Sequence, residues 1–332
     1  MPSPDGEDGP FQDEAETPSG ALASERSPSS SGADVGPEAT RSGSGADRGN
    51  TDGEIQEELY YERFDGFSRF LHLLVIISFL LLAVTGMTIK FSGVGVFQTL
   101  SRIMGGYAVT GFIHRVAAII TFAYFFMHLG YLAKRKRRRN LSLKQMLSGE
   151  STIWFRKQDL IDFGQTIKWF LGIGPRPEYG RWTYWEKFDY LAVFWGVVVI
   201  GSSGLLLWFP EFFTGLGIPG SWINIATIIH SDEALLATGF IFTVHFFNTH
   251  FRPDKFPMDP VIFTGRISVQ ELKEDRPRLY RHLRETGELE ERLAEAPPRW
   301  MERWARIFGL SALTIGILTI ILIIYSMVFL YR

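Results

Sequence analysis

The stretch IIHSDEALLATGFIFTVHFFNTHF, residues 228–251, decides how the rest of the chain is read. It has the length of about 20 residues that a helix needs to cross hydrocarbon, yet it carries His230, His245 and His250 together with Asp232 and Glu233. Ionisable side chains are costly in lipid, and where a span keeps them they mark a function. Something inside the membrane must take up the histidine nitrogens.

Apolar residues gather into similar runs elsewhere. Five segments approach or exceed the spanning length of about 20 residues: 70–89, 107–132, 190–209, 223–247 and 307–330, numbered here as spans one to five. The expected fold class is an all-α membrane protein, because helices satisfy their own backbone polar groups in lipid; the histidines and the resemblance described below make it a four-helix haem-binding transmembrane bundle plus a fifth C-terminal transmembrane helix. There is no cysteine, which excludes disulfides, cysteine-ligated iron–sulfur clusters and covalent haem attachment through CxxCH. Metal chemistry must then rest on histidine or carboxylate.

Residues 1–56 are rich in Ser, Gly, Pro, Asp and Glu and have no apolar signal core. They are expected to form a disordered acidic cytoplasmic tail. The run Lys134 to Arg139 follows span two directly, whereas the loop 210–221 holds no Lys or Arg. By the positive-inside rule the basic run is cytoplasmic, so the N-terminus lies inside and the C-terminus outside the cell inner (plasma) membrane. Such a run also suits a lipid or nucleic-acid patch; beside a span, a topology signal is the simpler account, and no nucleic-acid partner is expected. The expected divisions are the tail 1–56, a membrane core 57–251, a cytoplasmic charged loop 252–306 and the last span 307–332. In that loop charges alternate at helical spacing, which fits a solvated helix or a docking surface for a soluble partner.

Six of the seven histidines lie in or beside spans. His114 and His128, 14 positions apart in span two, fall about 40° apart on the helix and about 21 Å apart in depth. His230 and His245, 15 positions apart in span four, fall about 60° and about 22 Å apart. Span three intervenes, so spans two and four run parallel. His114 and His230 then share an outer level, His128 and His245 an inner level, and His72 at the start of span one joins the inner one. Haem iron takes axial imidazoles from facing helices, and bundle cores are where such sites are built. The two levels provide for two haem b groups. Taken singly, His72, His128 and His250 also suit interfacial residues held by backbone carbonyls, and a zinc site through His245 and His250 lacks a further donor nearby. Gly86, Gly111, Gly201 and Gly204 leave space beside the helices, as small residues do in membrane packing.

The motifs GFIHRVAAIITFAYFFMHLGYL, YGRWTYWEKFDYLAVFWG, GLLLWFP, IHSDEALLATGFIFTVHFF and FRPDKFPMDPVIFTGRISVQELKEDRPRLYRH, in that order, resemble the cytochrome b (gamma) subunit of membrane formate dehydrogenases and related bacterial di-haem cytochromes b. The resemblance covers about residues 60–285. It implies a four-helix core with two b haems, His114 and His230 on the outer one, His72 and His245 on the inner one. It also implies a quinone, menaquinone or ubiquinone, near the inner haem and the polar start of span three, where Thr183, Tyr184, Trp185 and Glu186 stand. Glu186 would pass protons there, and Trp185 or Tyr184 would cover the ring. The chain departs from the family in two ways. His128 is an addition whose spacing from His114 is closer to that in cytochrome b of the bc complexes, so the inner partner of His245 is His72 or His128. Span five, with no histidine or charge in 307–330, is an addition that packs or anchors.

The sequence therefore points to an electron-transfer subunit working between the quinone pool and a redox partner subunit, an iron–sulfur or multihaem protein. Two rivals come from other classes. One is a proton or ion transporter that uses the intramembrane His, Asp232 and Glu233, against which no broken helix or inverted repeat is evident. The other is a haemless membrane anchor.

Overall fold

The structure, a computed structural model, describes residues 59–330 apart from 139, 141, 150 and 151. The expected acidic tail 1–56 lies outside the described residues. Five helices are long and apolar enough to cross a membrane: span one Gly66–Lys90, span two Tyr107–Arg138, span three Tyr184–Trp208, span four Ser221–Phe251 and span five Arg299–Leu330. The protein is an all-helical membrane bundle. Within the most apolar part of each span only 11–28% of residues are buried inside the chain, so the apolar surface is left for lipid outside the bundle and for the cavity between the spans.

Spans one and three begin at a side-chain cap. Asp65 caps span one by accepting the Ser68 amide at 2.7 Å, and Thr183 opens span three in a capping box with Glu186. Spans one and two pair closely, as do three and four, and contacts of one with four and of two with three close the ring. Span five packs outside that ring against spans one and four. Two of its glycines permit this approach. A Cβ at Gly316 would meet Phe242 and Phe246 of span four at 2.7 Å, and one at Gly309 would run into Met258 Sδ of the loop that follows span four.

Span four changes character along its length. It is α-helical over Ser221–Phe240 and then π-helical over Ile241–His245 and Phe247–Phe251. The helical wheel that put His230 and His245 about 60° apart assumes 3.6 residues per turn throughout. The wider π turns void that angle for the inner half, and π segments of this kind recur at functional sites.

The loop after span four is not the plain solvated helix its charges suggest. Strand β1 (Tyr60–Glu62), which precedes span one, is the middle strand of an antiparallel sheet with β2 (Arg266–Ser268) and β3 (Leu293–Ala294). Helices Val269–Asp275 and Pro277–Thr286 close over it. Tyr61 fills the centre, fully buried among Ile267, Leu272, Leu279, Leu283 and Leu289. The apolar residues of the loop are few, but they converge once a strand from elsewhere in the chain completes their core. Gly265 makes the turn into β2 at φ +79°, and a Cβ there would meet the Phe64 carbonyl at 2.5 Å, so no other residue fits without displacing β1. This cap gathers the segment before span one, the segment before span three and the loop after span four at one end of the bundle, the end that the count of spans groups together.

Candidate functional site

At the outer level His114 of span two and His230 of span four face one another, ring centroids 6.2 Å apart and planes at 73°. Both rings are held from behind. His230 Nδ1 lies 2.9 Å from the Ile200 carbonyl, which can only accept, so Nδ1 carries the proton and Nε2 the free lone pair. Ser203 Oγ sits further off at 3.4 Å. His114 Nδ1 lies 2.9 Å from Thr85 Oγ1, whose own hydrogen is directed to the Leu81 carbonyl at 2.5 Å. Nδ1 is the donor there too. Two glycines make room for the imidazoles themselves: a Cβ at Gly204 would meet His230 Cε1 at 2.9 Å, and one at Gly86 would meet His114 Cε1 at 3.3 Å. Gly201 instead faces Phe122, and Gly111 has nothing within 4 Å.

The inner level is more crowded. His245 Nδ1 is 2.8 Å from Asp189 Oδ2 of span three. His72 lines the same cavity as His245 and His250. His250 is buried and its Nδ1 accepts the Asp259 amide at 3.2 Å, which puts its proton on Nε2 and leaves that nitrogen no lone pair for a metal. His128 turns to span three, its Nε2 2.8 Å from the Tyr190 hydroxyl and its ring against Tyr190 and Phe194. The structure thus places His72 and His245 on one cavity and gives His128 a hydrogen-bonding neighbour in Tyr190. Among the described residues, the second Asp189 oxygen, Oδ1, is buried without a hydrogen-bond partner.

All six of these histidines line one cavity of about 2720 Å³ that runs between the spans and opens among residues of the loops and the cap, Gln145 and Arg292 among them. That is several times the usual small-ligand pocket of about 300–1,000 Å³. Two metal–imidazole bonds of about 2 Å, one on each side of an iron, set ring centroids about 6 Å apart. The His114–His230 pair has that spacing, and its Nδ1 partners are of the kind that orient metal-binding histidines. The donor set fits a bis-imidazole haem.

The four residues at the start of span three have divided roles. Trp185 and Glu186 line the cavity. Thr183 is buried as the helix cap, and Tyr184 packs on Phe163 with centroids 5.3 Å apart. Glu186 was expected to meet water as a proton carrier; instead it accepts from Arg63 at 2.9 Å, from Arg276 at 2.8 and 2.9 Å, and from the Thr183 amide at 2.8 Å. Both oxygens are committed to tying span three to the cap. The network continues through Arg276 to Asp275 and from there to Arg252 and Lys255. Burial alone would raise the Asp275 carboxyl, but Arg276, Lys255 and Arg252 outweigh it and hold the group down at about 2. Buried between like and unlike charges, Arg276 has its guanidinium pushed up by Glu186 and Asp275 against the cost of burial.

A known family covers part of this architecture. A sequence model of prokaryotic cytochrome b561 matches residues 54–149. The matched residues hold spans one and two with His72, His114 and His128, and supply the helix that presents the outer ligand candidate. No curated protein matches the chain. The match supports a membrane cytochrome b, a class whose work is haem-b electron transfer. Asp189, Thr85 and Tyr190, which contact the histidines, were absent from the residues singled out in the sequence. Asp189 had a signal: it is a carboxylate in the second turn of span three, but a span drawn from 190 leaves it in a loop.

Proposed function

We propose that this chain is a di-haem cytochrome b subunit that passes electrons between a redox partner subunit and the quinone pool, like the gamma subunit of formate dehydrogenase. The facing pair His114 and His230, 6.2 Å apart with both Nδ1 atoms committed, carries the reading. His114 with His230 would hold the outer b haem and His72 with His245 the inner one; the haems supply one-electron chemistry. Thr85 and the Ile200 carbonyl fix the outer imidazoles, and Asp189 fixes the His245 ring.

Quinone reacts on the inner side in this reading. Trp185 supports it: its ring lines the cavity and is held between Tyr179, centroids 4.9 Å apart, and the Arg252 guanidinium 5.6 Å above it. Glu186 keeps span three and the cap in register and is not the proton carrier. The partner subunit, iron–sulfur or multihaem, docks on the charged cap, with the N-terminus in the cytoplasm and the C-terminus outside. A pyridine haemochrome assay on the pure protein tests the proposal: close to two b haems per chain are expected, and a value near zero overturns it. The quinone side is tested by Trp185→Ala, which should slow quinol-driven haem reduction while both haem spectra persist.

A further inference from the structure

The helix Lys157–Phe170 is built inside out for a soluble helix. Its polar residues Asp159, Asp162 and Thr166 are buried, within a sector of about 60° at 3.6 residues per turn. Each has a partner on the protein: Asp159 pairs with Lys187 at 2.9 Å, Asp162 with Arg278 at 2.5 Å, and Thr166 with the Tyr179 hydroxyl at 2.8 Å. Leu160, Phe163, Ile167 and Phe170 occupy the next sector of about 80° and are exposed, Leu160 at 75% and Phe170 at 70%. The apolar surface runs on past the helix to Ile173, also 70% exposed. Lys157, Gln165 and Lys168 take the third side, with the exposed Ile161 among them. Surface helices in water bury the apolar stripe and expose the charges, and contiguous apolar patches outside mark a binding surface.

The depth of the helix says what covers that patch. Lys187 belongs to the first turn of span three, and Asp159 is tied to it. Phe163, on the apolar sector, packs on Tyr184, the first residue of the same span. The exposed face is therefore continuous with the lipid-facing surface of the bundle at the level where span three enters the membrane. Trp154 and Trp169 flank it, as aromatic residues do at the boundary of hydrocarbon and headgroups.

We infer that residues 157–170 form an interfacial helix that lies in the leaflet where span three begins, its Leu160–Phe170 face in the acyl chains and Lys157 and Lys168 reaching headgroups. The partner is a lipid surface. Its polar face clamps the cap to the membrane through Lys187 and Arg278, so the helix sets the height of the cap over the inner histidines. This stands apart from the haem assignment.

The absence of cysteine makes the test direct. The full chain is made as single-cysteine variants Leu160→Cys and Phe170→Cys, with Gln165→Cys as the water-facing control. Each is labelled with a nitroxide and reconstituted in vesicles of phosphatidylethanolamine and phosphatidylglycerol. Power saturation is read with oxygen, which concentrates in lipid, and with a water-soluble nickel chelate. Oxygen should relax labels at 160 and 170 several-fold more than the chelate does, with the reverse at 165. Equal chelate access at all three positions overturns the inference, because the face is then in water. Protection of 160 and 170 from both reagents also overturns it, because the cover is then protein.

Discussion

The outer and inner histidine levels differ in what stands behind each ring. Behind the outer pair are a backbone carbonyl and a hydroxyl, both uncharged, on regular α-helices. Behind His245 is a carboxylate, on a stretch of π-helix, above a buried network of arginines and acids. A neutral, closely paired site needs little from its surroundings beyond fixed orientation. The inner site has more candidate ligands than it needs, and its selection depends on which imidazole nitrogen is already taken. His250 and His128 each have a nitrogen engaged by a neighbour. In the proposed pairing His72 is the histidine that meets His245.

The largest effects come from the ligands. Replacing His230 with Ala should remove the outer haem and leave the inner one, so the haemochrome yield falls from about two to about one; replacing His245 with Ala should do the converse, because the pairs are about 20 Å apart at helical rise. His72→Ala should then match His245→Ala in its spectrum. If His128→Ala matches it instead, the inner pairing is wrong and the contrast between the levels must be redrawn with spans two and four supplying every ligand.

Much of this contrast was legible in the residues. Parity and spacing placed His114 beside His230, because both sit on regular α-helix where 3.6 residues per turn holds. The cap was not legible, since its core needs Tyr61, which is separated from the rest by four spans. Nor was the π-helix, whose Phe242 and the neighbouring Phe246 lie against Gly316 of a span whose own sequence reads only as an anchor. Glu186 illustrates a different limit. A carboxylate near the membrane surface reads as a proton carrier until its partners are known, and Arg63 and Arg276 come from the cap.

That network gives the next effect. Arg276→Met removes one partner of a buried ion pair and leaves Glu186 and Asp275 short of a counter-charge, a loss of about 3–5 kcal/mol. Thermal unfolding in detergent should show it, with the inner haem lost at a lower temperature than the outer. Loss of both haems together would mean that the cap steadies the whole bundle rather than its inner end.

Gly316→Val tests the other support of the inner level. A side chain there would drive into Phe242 and Phe246, which flank His245 along span four, and overpacking costs about 1–3 kcal/mol. The electron paramagnetic resonance signal of the inner haem should broaden or shift while the outer signal is unchanged. An unaltered inner signal would return span five to the role of a plain anchor.

The smallest effect should come from Tyr190→Phe. It removes a hydroxyl 2.8 Å from His128 Nε2 and nothing else, because the ring keeps its contacts with His128 and Phe194. A neutral hydrogen bond of this kind contributes about 1 kcal/mol. If His128 is a packing residue of span two, the variant loses that stability and both haem spectra match the parent. If His128 binds iron in the holoprotein, its Nε2 has already left Tyr190, and removing the hydroxyl costs nothing in that bond. Stability therefore separates the two cases: a small loss of stability with both spectra unchanged leaves His128 in packing and keeps His72 as the inner ligand, and unchanged stability shows that its Nε2 has left Tyr190, as that of an iron ligand would.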